Sequence, residues 1–352
     1  MKFMHISDVH LGVKPDAGKA WSEKRGQDIW DSFAEVIDIA AKESPDFLLI
    51  SGDLFHRQPL KRELKEICGL FEHIPKTRMI LMAGNHDSMQ KNSYYRTCEW
   101  PPNVFFFPRE EVTCFDFPEQ NTAIYGLSYW ENEIRESLYD EVYPQNPRRI
   151  NILLAHGGDE RHIPFSEKKI LEHGFDYIAA GHIHMGGQLV WNRAVMAGSL
   201  EPTDCNDTGP HGYWIGTIEK ERCDVSFFPI RKCEYCHETL VVTPKTTEYE
   251  LLGRMKQLLM ERPAYQYFRI RLEGYKDPDL IFDLEKIGQL DRIVDVTEHL
   301  MPDYHYEKIL EEHENSLIGA YVAAMQKKKD DPVAAKALEY GVSALLGHQI
   351  CR

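Results

Sequence analysis

The chain has 352 residues, 43% of them hydrophobic and 28% charged, and a net charge of −15. That is the composition of a globular protein with a sizeable core, and no apolar run approaches the roughly 20 residues that span a bilayer, so no membrane association is expected. The acidity argues against a general nucleic-acid-binding surface, although a cluster of acidic ligands turns locally positive once divalent ions sit in it.

In chain order, residues 2–7, 47–51, 78–83, 151–155 and 177–180 are short apolar runs that read as buried strands. Between the first two, Ile29, Phe33, Val36, Ile37 and Ala40 fall at helical spacing and predict a helix over 28–42. Residues 60–73 and 166–173 follow the same pattern, the second closed by Gly174. Strands separated by crossover helices predict an α/β fold with these runs in one parallel sheet. From about residue 186 the texture changes: 188–190, 194–197, 213–218 and 224–230 read as short strands of a second sheet packed on the first. Residues 243–299 then predict helix 247–261, strand 267–272, helix 278–288 and strand 292–298, an order that suits a small α+β cap. The tail predicts two helices, 306–326 and 332–346, joined by the charged linker 327–331. Three parts are expected: a domain over 1–240, a cap over 241–302 and C-terminal helices over 303–352.

The eight cysteines are scattered, which does not suit a disulfide framework. The N-terminus, MKFMHISDVHLG, lacks the basic region and long apolar run of a secretory signal, so a cytoplasmic location with reduced thiols is expected. Cys233, Cys236 and His237 match the spacing of haem attachment. The plainer expectation is a strand and turn, ahead of attached haem or a zinc site that includes Cys223.

Five short motifs each begin where an apolar run ends. They are Asp8 with His10; Asp53 with His56 in GDLFH; Asn85, His86 and Asp87 in GNHD; His156 after Ala155; and His182 with His184 in GHIH. The carboxyl ends of parallel strands line one crevice, so motifs distant in sequence are expected to converge. Within Asp8–His10 and His182–His184 the polar residues are two apart, and on an extended chain they point the same way. Glycines beside Asp53, Asn85, His156 and His182 allow close backbone approach. Any one of these motifs alone reads as a turn or a surface pair. Five in one order, each with a metal-compatible residue, point to a metal site. The mix of carboxylates, imidazoles and one carboxamide suits Mn, Fe, Zn or Co more than Ca or Mg. Two such ions about 3.5 Å apart activate a water and stabilise a phosphoryl transition state.

The order D-x-H, G-D, G-N-H-D, H, G-H-x-H resembles the calcineurin-like metallophosphoesterases, and SDVHLG with GDLFH resembles their SbcD-type, YhaO-like DNA repair exonuclease subunits. The likeness covers about residues 1–230, with GSLEPTDCNDTGPHGY fitting less closely than the metal motifs. It implies a four-layer α/β/β/α sandwich holding two divalent ions, Mn(2+) foremost. Asp8, His10, Asp53 and His184 would hold one ion, and Asp53, Asn85, His156 and His182 the other. His86 would approach the scissile phosphate and protonate the leaving oxygen. Asp87 either holds His86 in the useful tautomer or caps the turn. The resemblance further implies a role for His56 near the DNA backbone, with a histidine that supports a metal ligand or lies on the surface as the plainer reading.

The partners so implied are DNA, a second copy in a homodimer, and an SbcC-like SMC-type ATPase docked on the C-terminal helices, whose apolar residues such as Ile309, Leu310, Leu317, Ile318, Tyr321 and Val322 either meet that partner or bury their face on their own chain. Lys14, Lys19, Lys24, Arg25, Arg57, Lys61 and Arg62 either contact phosphates or belong to solvated faces. Trp21, Tyr94, Tyr95 and Trp130 either stack on bases or pack in the core. The leading expectation is a metal-dependent DNA nuclease. The alternative is a standalone phosphodiesterase or phosphatase for a small-molecule phosphoester, which the acidic surface favours. A non-catalytic scaffold is disfavoured because no ligand position is lost.

Overall fold

A computed structural model of the chain describes residues 1–220, 222–328 and 331–347. It divides into two compact units, Met1–Cys236 and His237–Arg352. Among the described residues no helix is long and apolar enough to cross a membrane.

In the first unit β1 (Lys2–Ile6), β2 (Phe47–Ile50), β3 (Arg78–Met82) and β4 (Val104–Phe107) run parallel, with α1 (Ser22–Glu43) and α2 (Lys61–Glu72) as the first two crossovers. The second sheet is built from β5 (Thr113–Phe117), β6 (Thr122–Gly126), β7 (Ile150–His156), β8 (Tyr177–Gly181), β9 (Gly187–Val190) and β10 (Ala194–Met196), with α3 (Glu167–Glu172) between β7 and β8. The chain then returns to the first sheet with β11 (His211–Glu219) and β12 (Arg222–Ile230). The strand orders are β12-β11-β1-β2-β3-β4 and β5-β6-β7-β8-β10-β9.

Two expectations change here. The strands at 151–155 and 177–180 belong to the second sheet, and those at 213–218 and 224–230 close an edge of the first, β11 pairing antiparallel with β1. Local apolar patterning says that a strand is buried, not which neighbour it pairs with. Strands β4, β5 and β6 were not anticipated, and β6 supplies the parallel partner on which β7 is laid.

The two sheets face each other. Phe3, Leu49, Ile80 and Met82 of the first share a core with Ile124, Ile152, Leu154, Ala180 and Val195 of the second. On the other face of the first sheet, Met4, Ile6, Leu48, Ile50 and Leu81 pack against Ile29, Phe33 and Val36 of α1 and Leu64, Ile67 and Phe71 of α2. Alternate residues of one strand thus serve two layers, as the pleat requires. The result is the α/β/β/α sandwich. Helix α1 starts six residues ahead of the predicted 28 because its first turns bury a charge: Arg25 Nη1 donates to Asp28 (3.2 Å) and Nη2 to the Pro202 carbonyl (3.0 Å).

The second sheet-bearing region, β13 (Glu234–Val242), β14 (Gln266–Lys276) and β15 (Ile293–Pro302), is ordered β13-β14-β15, with β14 and β15 parallel. Helix α4 (Glu248–Glu261) opens on a capping box, Thr247 with Glu250, and buries Leu251 and Met255. The predicted helix 278–288 contracts to α5 (Leu284–Ile287). The predicted helix 306–326 is two helices, α6 (Tyr306–Glu312) and α7 (Leu317–Gln326), broken where the Ser316 hydroxyl caps α7 by accepting from Gly319 N. With α8 (Pro332–Leu346) they enclose a small core of Ile309, Ile318, Val322, Leu338 and Val342. Of the predicted linker, residues 329 and 330 lie outside the described residues, as does Cys351. Cys233 is buried just before β13 and Cys236 lies within that strand.

Candidate metal centre

The loops after β1 and β2 run side by side. Asp8 N donates to the Gly52 carbonyl (3.2 Å), His10 N to Asp53 O (3.0 Å) and His56 N to Leu11 O (3.1 Å). The loops after β3 and β8, and the last residue of β7, complete the edge. The two sheets are joined here by polar contacts. The Ser51 hydroxyl donates to Ala179 O (3.0 Å), His182 N donates to Asp8 Oδ2 (2.9 Å), and His156 Nδ1 meets the Ser51 carbonyl at 2.8 Å. The five motifs therefore converge from two sheets rather than from one.

Nor do the paired motifs converge by extended geometry. Asp8, His10 and Asp53 adopt left-handed backbone, with φ of 47°, 52° and 49°, and His182 has φ of 102°. Such conformations cost of order 1–3 kcal/mol each and persist where surrounding structure imposes them. The kinks aim successive side chains inward, which the two-residue spacing alone does not do.

The side chains sort into two groups about Asp53. His10 Nε2 and His184 Nε2 lie 3.0 Å apart, and Asp8 joins them within ligand-sharing distance. Asn85 Oδ1 lies 2.9 Å from His156 Nε2 and 3.1 Å from His182 Nδ1. Asp53 Oδ2 looks toward both groups, 3.9 Å from His10 Nε2 and 3.5 Å from His156 Nε2. His156 Nδ1 donates to Ser51 O, His182 Nε2 to Asp159 Oδ2 (2.7 Å) and His184 Nδ1 to Asp207 Oδ2 (3.0 Å). Each of these rings spends its proton outward and keeps a lone pair inward. Acceptors facing acceptors at about 3 Å repel, and a cation between them turns the repulsion into ligation. That spacing is what two ligands at bonds of about 2.1 Å and right angles subtend. The residues fit a pair of divalent ions.

Electrostatics agree. Burial opposes charge on Asp53, but His156, His10 and His86 outweigh it and hold the carboxyl well below the usual carboxylate range. Burial likewise opposes charge on His156, yet Asp53 pushes its pKa up to about 9. Without a cation, the negative pocket thus draws a proton onto the inward nitrogen of this buried ring, and a bound cation would take that proton's place. Burial lowers His10 to about 3 despite Asp53 and Asp8, so its ring is neutral and ready to ligate.

His86 and His56 stand over this group, their rings stacked at 5.1 Å and 27°, with His86 exposed and His56 half-buried. The tautomer of His86 is set by its Nδ1 contact with the His56 carbonyl (3.2 Å), not by Asp87. Asp87 is instead fully buried and accepts from Gly84 N (2.8 Å), Phe55 N (3.0 Å) and the Tyr95 hydroxyl (2.7 Å). It ties the GNHD turn to the GDLFH loop, which favours the turn-capping reading over the tautomer one. Sequence reasoning missed Asp159 and Asp207. Their only signal was a carboxylate close after one histidine motif, and a second in the segment that fitted the family least.

Other candidates resolve plainly. Lys14 pairs with Glu23 (2.6 Å) and Arg57 with Glu63 (2.7 Å), while Arg25 is buried beside Asp28. Tyr95 is a core residue, whereas Trp130 is exposed beneath the Arg96 guanidinium at 4.3 Å. His5, with its pKa lowered to about 3 by burial, is a neutral core residue meeting Ser51 Oγ at 2.7 Å.

Gly84 is required by close approach. A Cβ there would overlap Asp53 Oδ1 and lie 2.7 Å from His156 Nε2. Gly84→Ala is expected to displace Asp53 and His156 and to slow any hydrolysis that runs through these side chains about 100-fold, the effect of a displacement near 1 Å. Turnover of bis-p-nitrophenyl phosphate, with circular dichroism to check folding, measures it.

The calcineurin-like phosphoesterase family model matches residues 1–186. The uncharacterized metallophosphoesterase YhaO of Bacillus subtilis is 26% identical over 64% of this chain and 59% of its own length. The DNA double-strand break repair protein Mre11 of Sulfolobus acidocaldarius is 29% identical over 52% of this chain and 50% of its own. Mre11 of Sulfurisphaera tokodaii is 32% identical over 52% and 49%. The chain thus spans about half to three fifths of the length of these curated relatives.

Proposed function

The chain belongs to the calcineurin-like phosphoesterase family, and from that premise we propose that it is a metal-dependent DNA nuclease that hydrolyses phosphodiester bonds at a dinuclear, manganese-loaded centre. The observation that carries this reading is the grouping of seven donors about Asp53, with two imidazoles from GDLFH and GNHD stacked over them. Relatives named for DNA double-strand break repair support DNA as the substrate.

In this reading Asp8, His10, Asp53 and His184 hold one ion and Asp53, Asn85, His156 and His182 the other. When bound, the ions supply the positive charge that activates water and neutralises phosphoryl oxygens. His86 does the proton work. In its protonated form it keeps Nδ1–H on the His56 carbonyl and presents Nε2–H to the open side, where that proton passes to the leaving oxygen and the ring is left neutral. The His86 backbone N–H donates to Asp53 Oδ1 (2.9 Å), so the acid and the bridging carboxylate keep a fixed spacing. His56 touches the DNA backbone beside the scissile phosphate.

The test is cleavage of end-labelled duplex and single-stranded DNA in Mn(2+), alongside bis-p-nitrophenyl phosphate. Hydrolysis of both supports the nuclease. Turnover of the small diester alone favours a small-molecule phosphoesterase, the reading that the net charge of −15 suggests.

The proposal extends to a cytoplasmic location and a partner. Of the residues expected to dock, Ile309, Ile318 and Val322 are buried in the chain's own small core with Leu310 and Tyr321 packed against it. The docking surface would instead be Leu317 and Val333, largely exposed, with Tyr340 and Leu345 partly so, facing an SMC-type ATPase. Deleting residues 303–352 is expected to abolish co-purification with that ATPase and to leave hydrolysis of the small diester unchanged. Retained co-purification would count against the docking role.

A further inference from the structure

We propose that Asp159 and Asp207 are positioning residues, each selecting which nitrogen of His182 or His184 faces the metal and so tuning the two metal positions separately. The inference rests on the dinuclear centre proposed above, and neither carboxylate is among its seven donors.

The two histidines are used in opposite senses. His182 turns Nδ1 inward, toward Asn85 Oδ1, and gives its Nε2 proton to Asp159. His184 turns Nε2 inward, toward His10, and gives its Nδ1 proton to Asp207. A neutral imidazole carries one proton, so the carboxylate that takes it decides which nitrogen can ligate and raises that nitrogen's basicity.

Both carboxylates are themselves held. Asp159 Oδ1 accepts from Arg161 N (2.7 Å) and His162 N (3.0 Å), and the His162 ring nitrogen Nδ1 lies 2.9 Å from both oxygens. Gly157 and Gly158, with φ of 137° and 120°, let the chain double back behind β7 to make this turn. A Cβ on Gly157 would overlap the His162 carbonyl. Asp207 accepts from Thr203 N (3.0 Å), the Thr203 hydroxyl (3.0 Å) and Asp204 N (3.2 Å). These donors fix where each carboxylate lies, and in each case its Oδ2 rests against a histidine of the centre, with the Thr203 hydroxyl also 3.2 Å from His184 Nδ1.

Their effects should separate because the histidines belong to different groups: His182 sits with Asn85 and His156, and His184 with Asp8 and His10. Calorimetric titration of the full chain with Mn(2+) alone, without nucleic acid, tests this. The wild type is expected to bind two equivalents. Asp159→Ala should weaken one of them by about 10- to 100-fold and leave the other at its wild-type affinity. Asp207→Ala should do the same, and the double variant should weaken both. Asp159→Asn, whose amide oxygen still accepts a proton from His182, should fall between wild type and Asp159→Ala.

Single variants that leave both affinities unchanged would overturn the proposal. So would a uniform loss at both positions that follows a drop in the thermal unfolding midpoint, because that marks a scaffold residue. A third equivalent in the wild type, lost in both Asp159→Ala and His162→Ala, would overturn it too by making Asp159, His162 and His182 a metal site of their own. A wild type that binds no Mn(2+) would instead sink the dinuclear centre itself, a failure distinguishable from the others.

Discussion

Asp53→Ala is expected to lower metal-dependent hydrolysis of bis-p-nitrophenyl phosphate by about a thousandfold or more. The figure follows from the several kcal/mol that a correctly held metal pair contributes, at tenfold in rate for each ~1.4 kcal/mol. Asp53 Oδ2 looks toward both donor groups, with Asp8 beside it in each, and the other Asp53 oxygen accepts from His86 N. Its loss removes the carboxylate that lies between His10 and His156 and frees the loop that carries the proposed acid. Alanine at φ 49° also strains the backbone, which could lower turnover for a trivial reason. Asp53→Asn separates the two causes, since asparagine tolerates left-handed backbone and keeps the shape but not the charge. It should lose nearly as much activity as Asp53→Ala and should bind fewer than two equivalents of Mn(2+). Retention of more than a tenth of wild-type turnover by Asp53→Asn would mean that Asp53 does not bridge.

The sequence exposed the chemistry of this molecule more clearly than its architecture. Asp8, His10, Asp53, Asn85, His156, His182 and His184 were legible because each follows an apolar run and each is a possible ligand, and all seven come together. How they come together was not legible. Left-handed backbone at Asp8, His10 and His182 has no composition signal, because aspartate and histidine occupy ordinary turns far more often. Sheet membership was misassigned for β7, β8, β11 and β12, since local patterning does not name a partner: Thr217 of β11 pairs with the distant Lys2, and β7 is laid on β6, a strand the apolar runs did not disclose. The break between α6 and α7 was missed because Ile309, Leu310, Leu317 and Ile318 keep helical spacing across it. Only the Ser316 cap announces the new start. Asp87 was ambiguous for a simpler reason: a carboxylate next to a histidine invites a tautomer role, while its partners prove to be backbone amides of two different loops and the Tyr95 hydroxyl.

His56→Ala is the variant that separates the two substrate classes. His56 is held from its backbone, N–H to Leu11 O, and its carbonyl in turn meets His86 Nδ1. Replacing the side chain therefore leaves the His86 tautomer in place, and a small diester, which needs only the metal pair and His86, should lose less than about threefold. The His56 ring, stacked on His86 and half-buried, has its pKa lowered by burial and by the His86 charge, so it is neutral at pH 7 and donates a single N–H. A hydrogen bond from that N–H to a charged phosphate oxygen is worth about 1.5–3 kcal/mol. DNA cleavage should accordingly fall by about 10- to 150-fold. His86→Ala, by contrast, should slow both substrates, because proton transfer to the leaving oxygen is common to both. Parallel rates on end-labelled DNA and bis-p-nitrophenyl phosphate give the ratio directly. Equal losses on both substrates in His56→Ala would remove His56 from the DNA interface and leave a phosphoesterase centre with no residue yet specific to a polymer.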